Sequence, residues 1–537
     1  MMVPADPAQR ETTPYRPVRP TAPDTIISVV FAFAVAFLFR AYVIEPFVIP
    51  TGSMAPTLLG AHFRATSAIS GADWAIDRRL ADRDRNPIIR DPYTADELDA
   101  AGLRLRSGDR ILVLKRTPFT PAIKRYEVAV FRNPTNPSEN LIKRIIGLPG
   151  EQIALVDGDV FVKPSDGRRQ GDIHAWESAD WQIARKPERQ QRAVWQPVFD
   201  AAHTPIGSTL ESWPWLTVGS WSKAGTTLVK PEPGEASLEW DNSKWEIRDR
   251  LAYDDIDIRR PARVGSGGTR GGLPPNYPVS DVSISFGFEP SDENSSVAVE
   301  LSARGRVFRA ELDSQRVRLR WRGEDEGTWT PLAEEPMRRP MPVGLASKIE
   351  FWHADQALWL FVDDRLAAHA AYDWSIRERL EHSIRGSTLE QLEPLPRGMS
   401  MFSPSEQYSK PTVRITIDGP PASIHRLRVD RDLYYHPYQF GYRRDADIPP
   451  MGTHPISTVS LNRGQYFALG DNSAASKDGR TWGKPDPRVA RAFPNTAAPG
   501  VVPEQLMLGR AFLVYFPSIN RDGPVPVPDL GRIRVIH

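Results

Sequence analysis

EVAVFRNPTNPSENLIKRIIGLPGEQIALVDGDVFVK, residues 127–163, decides the fold class. Its apolar runs 126–131, 140–146 and 159–163 are short and rich in Val, Ile and Phe. Turn formers such as Asp157-Gly158 bound them, the pattern of strands and not of helices. Just upstream, the turn Ser107-Gly108-Asp109 leads into another such run, ILVLK at 111–115. The style returns near the far end of the chain, where GQYFALGDN (464–472), SKDGRTWG (476–483) and GRAFLVYFP (509–517) read as strand, loop and strand.

Between these two blocks the pattern changes partner but not class. Val282, Ile284, Phe286 and Phe288 alternate with small polar residues, and Val317, Leu319 and Trp321 alternate with arginines. The runs 297–301, 307–312, 349–353, 358–362, 413–417 and 424–429 are similar. Spaced short strands with one apolar face predict a β-sandwich over 170–435. The glycine run 265–272 lacks the Lys-Ser/Thr of a phosphate-binding loop and reads as a turn or linker. Residues 61–106 are charged and mixed, with a short helix expected over 95–101.

Composition supports this reading and removes several function classes. The chain has 537 residues, enough for several domains, and 51 are proline, which suits loop-rich β structure. With 68 basic and 67 acidic residues the net charge is +1, with no basic excess to track nucleic acid. There is no cysteine, which excludes disulfides, zinc–thiolate sites and cysteine nucleophiles.

One segment sets the location. Residues 26–44, IISVVFAFAVAFLFRAYVI, are about 28 Å long as a helix, close to the ~30 Å hydrocarbon core of a bilayer. Arg10, Arg16 and Arg19 precede it, while the twenty residues after Ile44 hold only Arg64. The positive-inside rule therefore expects a cytoplasmic N-terminus and everything after Glu45 outside. The expected organisation is a disordered tail (1–23), a transmembrane helix (24–44), a first core part (45–163, with 61–106 inserted), the sandwich (170–435), a second core part (451–520) and a tail (521–537).

Ser53 lies just beyond this anchor, in Thr51-Gly52-Ser53-Met54-Ala55-Pro56. Gly52 lets the backbone come close to a substrate and Pro56 stiffens the exit. Such a serine attacks a carbonyl only if a base removes its proton; without one it is an ordinary turn residue. The ten histidines all fall outside 107–163 and 461–520, so a Ser-His-Asp triad would borrow its histidine from elsewhere. Lys143 is the other candidate, since burial among apolar neighbours lowers a lysine pKa. As a strand, 141–146 places Leu141 and Ile145 with Lys143, and Ile142 and Ile146 with Arg144. Both faces are apolar, so alternation leaves base and structural lysine both open.

TGSMAPTL, SGDRILVLK, YEVAVFRNP…ENLIKRIIGLPGE and GDNSAASKDGRTWG, in this order behind one apolar segment, resemble the type I signal peptidases. These are serine–lysine membrane proteases that remove signal peptides from exported preproteins. The resemblance covers about 24–60, 107–163 and 461–517. It implies Ser53 as nucleophile, Lys143 as general base, and Thr51 with the Ser53 N–H as oxyanion hole. It further implies Ser476 as the group orienting the lysine and Asp478 with Arg480 as a structural pair. It implies signal-peptide-bearing preproteins and a lipid bilayer as partners, with no nucleic acid, cofactor or metal. Gly479 departs from the family, which usually has serine there.

The strand pattern of the insertion loosely resembles concanavalin-like jelly-roll sandwiches, which leaves a glycan or protein ligand for it open. The alternative function is a membrane-tethered glycan- or protein-binding module with an inactive peptidase core. A dead core is expected to lose one of Ser53, Lys143 and Ser476, and all three are present. Because the catalytic motifs lie outside the insertion, joining Lys163 to Leu461 is expected to leave peptide cleavage intact.

Overall fold

A computed structural model describes residues 22–78, 88–98, 103–165, 171–205, 207–254, 256–257, 276–384, 407–437, 449–520 and 527–537. The glycine run 265–272, nearly all of the tail 1–23 and most of the two chain crossings expected between core and sandwich near 164–171 and 434–450 lie outside the described residues. The chain divides into two compact units, 1–45 and 46–537.

The first unit carries the helix Ala22–Tyr42. Its segment Thr25–Tyr42 has a mean hydropathy of 2.0 and no buried residue, and is long and apolar enough to cross a membrane. The helix starts two residues before the expected 24 and stops two residues before the expected 44, because Ile44 opens the strand Ile44–Val48.

The second unit is built on an eight-stranded sheet. Six of its strands run in the order Arg110–Lys115, Met507–Phe516, Val128–Asn133, Asn136–Gly147, Gln465–Leu469 and Val502–Pro503. Neighbours in this run are antiparallel. Strands from the two sequence blocks thus interleave, which carries Lys143 and Ser476 into one body across 333 residues. Both sheet faces are covered. Ile146, Phe467 and Leu469 pack with Ile153 and Leu461, whereas Ile145 and Ala468 pack with Phe131 and Trp482.

A four-stranded sheet follows in the order Gln182–Ile183, Asp159–Pro164, Glu151–Val156 and Val459–Ser460. Its first strand comes from inside the expected sandwich span. The sandwich strands themselves run from Gln196–Asp200 to Ala422–Arg431 and form two antiparallel sheets. Val282, Ile284, Phe286 and Phe288 face inward against Leu301, Phe308 and Ile415, as alternation predicts. The outward arginines of Arg316–Gly323 find carboxylates, Arg316 with Glu334 and Arg318 with Asp313.

Three expectations are corrected. The described part of the helix expected over 95–101, residues 95–98, is not helical: Glu97–Leu98 is a strand paired to Ile88–Arg90, so strand pairing overrides the helix propensity of Ala, Glu and Leu there. The tail 521–537 is partly integrated, since Arg534 and Val535 pair with Val514 and Leu513, and Ile536 is buried in the core. The insertion also meets the core at far more than two chain crossings. Gln182 pairs with Val162 of the core, and Ile256 pairs with Ile89 of the smaller insertion. Buried Arg304 bonds Asp157 at 2.8 Å, and buried Arg379 bonds both Asp157 and Asp159.

Candidate active site

The loop after Ile49 closes tightly on itself. Asp109 is the clamp: its N–H donates to the Leu59 carbonyl, its Oδ2 accepts from the Leu59 N–H at 2.9 Å, and its carbonyl accepts from the Ile49 N–H. Within this loop a single 3₁₀ turn, Gly52–Met54, displays Ser53 half-buried, while Met54, Ala55 and Leu58 are buried beneath it. Thr51 flanks the turn in extended conformation with its side chain exposed.

The strand Asn136–Gly147 delivers Lys143 to this turn. Lys143 is 2% exposed, and its Nζ donates a hydrogen bond to Ser53 Oγ, ninety residues away in sequence. Burial lowers the Lys143 pKa to about 8 from its ordinary 10.5; Asp478 and Asp471 pull it back up and Arg480 pushes it down. No histidine takes this place. His436 contributes its backbone to Arg480 and Ser473, and its ring nitrogen lies 3.2 Å from Asp249; His537 gives only its carbonyl to Arg144, at 2.8 Å.

The second block supplies the floor. Asp478 and Arg480 form the expected pair, both wholly buried, with Nε–Oδ1 at 2.9 Å and Nη2–Oδ2 at 2.8 Å. Asp478 also accepts from the Gly470 N–H, and Arg480 donates to the Ser473 hydroxyl and carbonyl. This network fixes the 470–476 loop against the serine turn. Asn472 donates through its N–H to the Ser53 carbonyl at 3.2 Å and through Nδ2 to the Gly52 carbonyl at 3.3 Å. Gly470 is needed for close approach: a Cβ there would lie 2.6 Å from Ser476 Cβ and closer still to Ser476 Oγ and the Ser53 carbonyl. Ser476 is fully buried and its Oγ has no hydrogen-bond partner, so the bond to Lys143 expected of it is not made in this structure.

Sequence reasoning passed over two groups here. Arg144, next to Lys143, forms a fully buried two-pronged pair with Asp471 at 2.8 and 2.6 Å. Asn472, beside it, holds the serine turn. Both stand within the quoted motifs, and the signal is a polar side chain, Arg144 or Asn472, in a run otherwise largely apolar or small. Four buried aspartates, Asp159, Asp281, Asp355 and Asp432, gather their oxygens within 4.8 Å where the insertion meets the core. Lys186, Arg304 and Arg379 lie among them and supply the positive charge, so the cluster is a structural junction and not a cation site.

The departure at Gly479 has a local cause. A Cβ there would lie 2.6 Å from the Phe467 ring and 2.8 Å from the Gly500 carbonyl. Restoring the usual serine by Gly479→Ser is therefore expected to destabilise the fold by about 1–3 kcal/mol, as overpacking does. Thermal unfolding checks it, and an unchanged or raised Tm would contradict it.

Comparison with known proteins bears on this geometry. A family model described as signal peptidase, peptidase S26, matches residues 23–192 and 413–516. Signal peptidase I of Rickettsia massiliae (strain Mtu5) is 30% identical over 135 residues, 25% of this chain and 41% of that protein. Signal peptidase I of Buchnera aphidicola subsp. Acyrthosiphon pisum (strain APS) is 33% identical over 121 residues, 22% of this chain and 27% of that protein. The chain thus spans less than half the length of these curated relatives. Among solved structures, the carbohydrate binding module CBM66 from Bacillus subtilis is similar at 11% identity, covering 40% of this chain and 95% of that one. Its TM-score is 0.23, too low to assign a fold or a ligand.

Proposed function

Because the chain belongs to the signal peptidase family, peptidase S26, we propose that it is a membrane-anchored serine endopeptidase that removes N-terminal signal peptides from exported preproteins. The observation that carries this reading is the buried Lys143 amine donating to Ser53 Oγ; the membrane-length helix supports the anchor. The helix is the anchor, with the N-terminus cytoplasmic and the catalytic unit on the outer face, on the arginine asymmetry at its two ends. The catalytic core consists of 45–163 and 451–520, and the sandwich is carried within it.

The chemistry follows from the site. Neutral Lys143 takes the Ser53 proton as Oγ attacks the scissile carbonyl. The Ser53 N–H and the exposed Thr51 hydroxyl hold the oxyanion, where two aimed donors are worth several kcal/mol. Protonated Lys143 then gives its proton to the leaving amine. The resulting ester is hydrolysed by water activated by the same lysine. Ser476 is assigned to orient that lysine: no bond to it is made in this structure, but the buried hydroxyl is unspent and available to accept from the amine. Asp478 and Arg480 act from beneath by fixing the loop that bears Ser476.

The preprotein is expected to be cut after a small residue, with another small residue two positions earlier. Incubating the detergent-solubilised chain with a preprotein and sequencing the new N-terminus tests this. A single cut at such a position supports the reading, and equal cutting after bulky residues refutes it.

A further inference from the structure

The sequence reading reserves the open side of Gly52 for substrate, but the structure fills it with protein. A Cβ on Gly52 would lie 2.7 Å from Tyr253 Cζ, and closer still to the Cε1 and hydroxyl oxygen of the same ring. Tyr253 belongs to the large insertion, not to either motif-bearing block. It is 3% exposed and packs with Ala55 and Leu59, the residues that follow the nucleophile turn, and with Leu251 and Ala75. Its backbone is fixed as well: the Tyr253 carbonyl accepts from the Asp77 N–H at 2.9 Å, and the Asp254 N–H closes a turn onto the Leu251 carbonyl at 3.0 Å. Asp77 ends the strand Asp73–Asp77, which lies within the smaller insertion.

The turn bearing Ser53 therefore has two supports. The core holds it through Asn472, which bonds the carbonyls of Gly52 and Ser53. The two insertions together hold it through the Tyr253 ring. We infer that Tyr253 is a positioning residue for the nucleophile, setting the Gly52–Ser53 backbone so that Ser53 Oγ meets Lys143 Nζ. This rests on the peptidase reading above. The insertion is then part of the catalytic apparatus through one aromatic ring. A ring pressed on a glycine Cα limits where the next residue's Oγ points, and a misplacement of ~1 Å at a reacting atom costs about 100-fold in rate.

The test is a set of variants of the full chain, assayed on a signal-peptide substrate beside wild type and Ser53→Ala. Tyr253→Phe keeps the ring and is expected to retain most of kcat. Tyr253→Ala and Tyr253→Leu are expected to lower kcat by about tenfold or more with KM changed by less than about threefold, the pattern of misplaced chemistry and not of lost binding. Gly52→Ala is expected to lose about 100-fold. Combining it with Tyr253→Ala removes the ring that the new methyl strikes, so the double variant should exceed Gly52→Ala alone. The Tyr253→Leu arm decides the matter if Tyr253→Ala does not fold. Wild-type kcat in folded Tyr253→Leu, or a double variant no better than Gly52→Ala, overturns the inference while leaving the peptidase reading intact. A wild-type chain that cuts no better than Ser53→Ala overturns the peptidase reading itself, and the inference with it.

Discussion

Ser53→Ala and Lys143→Ala are each expected to reduce signal-peptide cleavage on the order of 10⁴-fold or more, and the double variant is expected to be no worse than either. In the proposed mechanism the two side chains act as one unit: the hydroxyl is a poor nucleophile without its base, and the amine has no proton to take without the hydroxyl. Their hydrogen bond is the physical form of that unit. Lys143→Arg is expected to be equally inactive although it preserves charge and length, because a guanidinium does not deprotonate at any usable pH. Rates are measured on purified protein in detergent with a fixed peptide. Robust cleavage by Lys143→Ala, or full additivity of the two losses, would remove the lysine from the mechanism.

The second large effect concerns the insertion. A chain in which Lys163 is joined to Leu461 is expected to be inactive and poorly folded, the reverse of what the placement of the motifs suggests. That deletion removes the edge strand Gln182–Ile183 and strips Trp176, Trp181 and Tyr434 from Ala154 and Phe161. It leaves Asp157 and Asp159 without Arg304 and Arg379. Breaking one buried ion pair by removing a partner costs about 3–5 kcal/mol, against a total stability of about 5–15 kcal/mol for a typical domain. It also takes away Tyr253. Circular dichroism with the peptide assay measures both consequences. A shortened chain that melts cooperatively and cuts at the wild-type rate would show that the sandwich is a passenger.

The reach of the sequence follows from the range of the interactions. Alternation in 282–288 marks inward and outward residues correctly because a strand's two faces are set locally. The motif strings place Ser53, Lys143 and the Asp478–Arg480 pair because each string is short and carries its own turn residues. Alternation fails at 141–146, where packing on both sheet faces makes every residue apolar or paired. The burial of Lys143 is therefore a tertiary fact. So are the bidentate partner of Arg144, 327 residues away, and the contact between Gly52 and Tyr253, which no local pattern announces. Gly52 was legible as a point of close approach, but which chain approaches it was not. The helix expected at 95–101 fails over its described residues 95–98 for the same reason, since Glu97–Leu98 is held by a strand partner and not by its own propensity.

The pH dependence of kcat/KM for wild type, with Ser53→Ala as the blank, tests the central claim most directly. In the proposed mechanism Lys143 acts only when neutral, and its pKa is lowered to about 8 by burial. Activity is therefore expected to rise as pH increases through about 8, because the neutral fraction of the free enzyme grows across that limb. The same preparation of Ser53→Ala is expected to stay at background throughout. A rate that is flat or falling as the pH rises from about 6 to 9, or a Ser53→Ala variant that follows the wild-type curve, would contradict a Ser53–Lys143 peptidase.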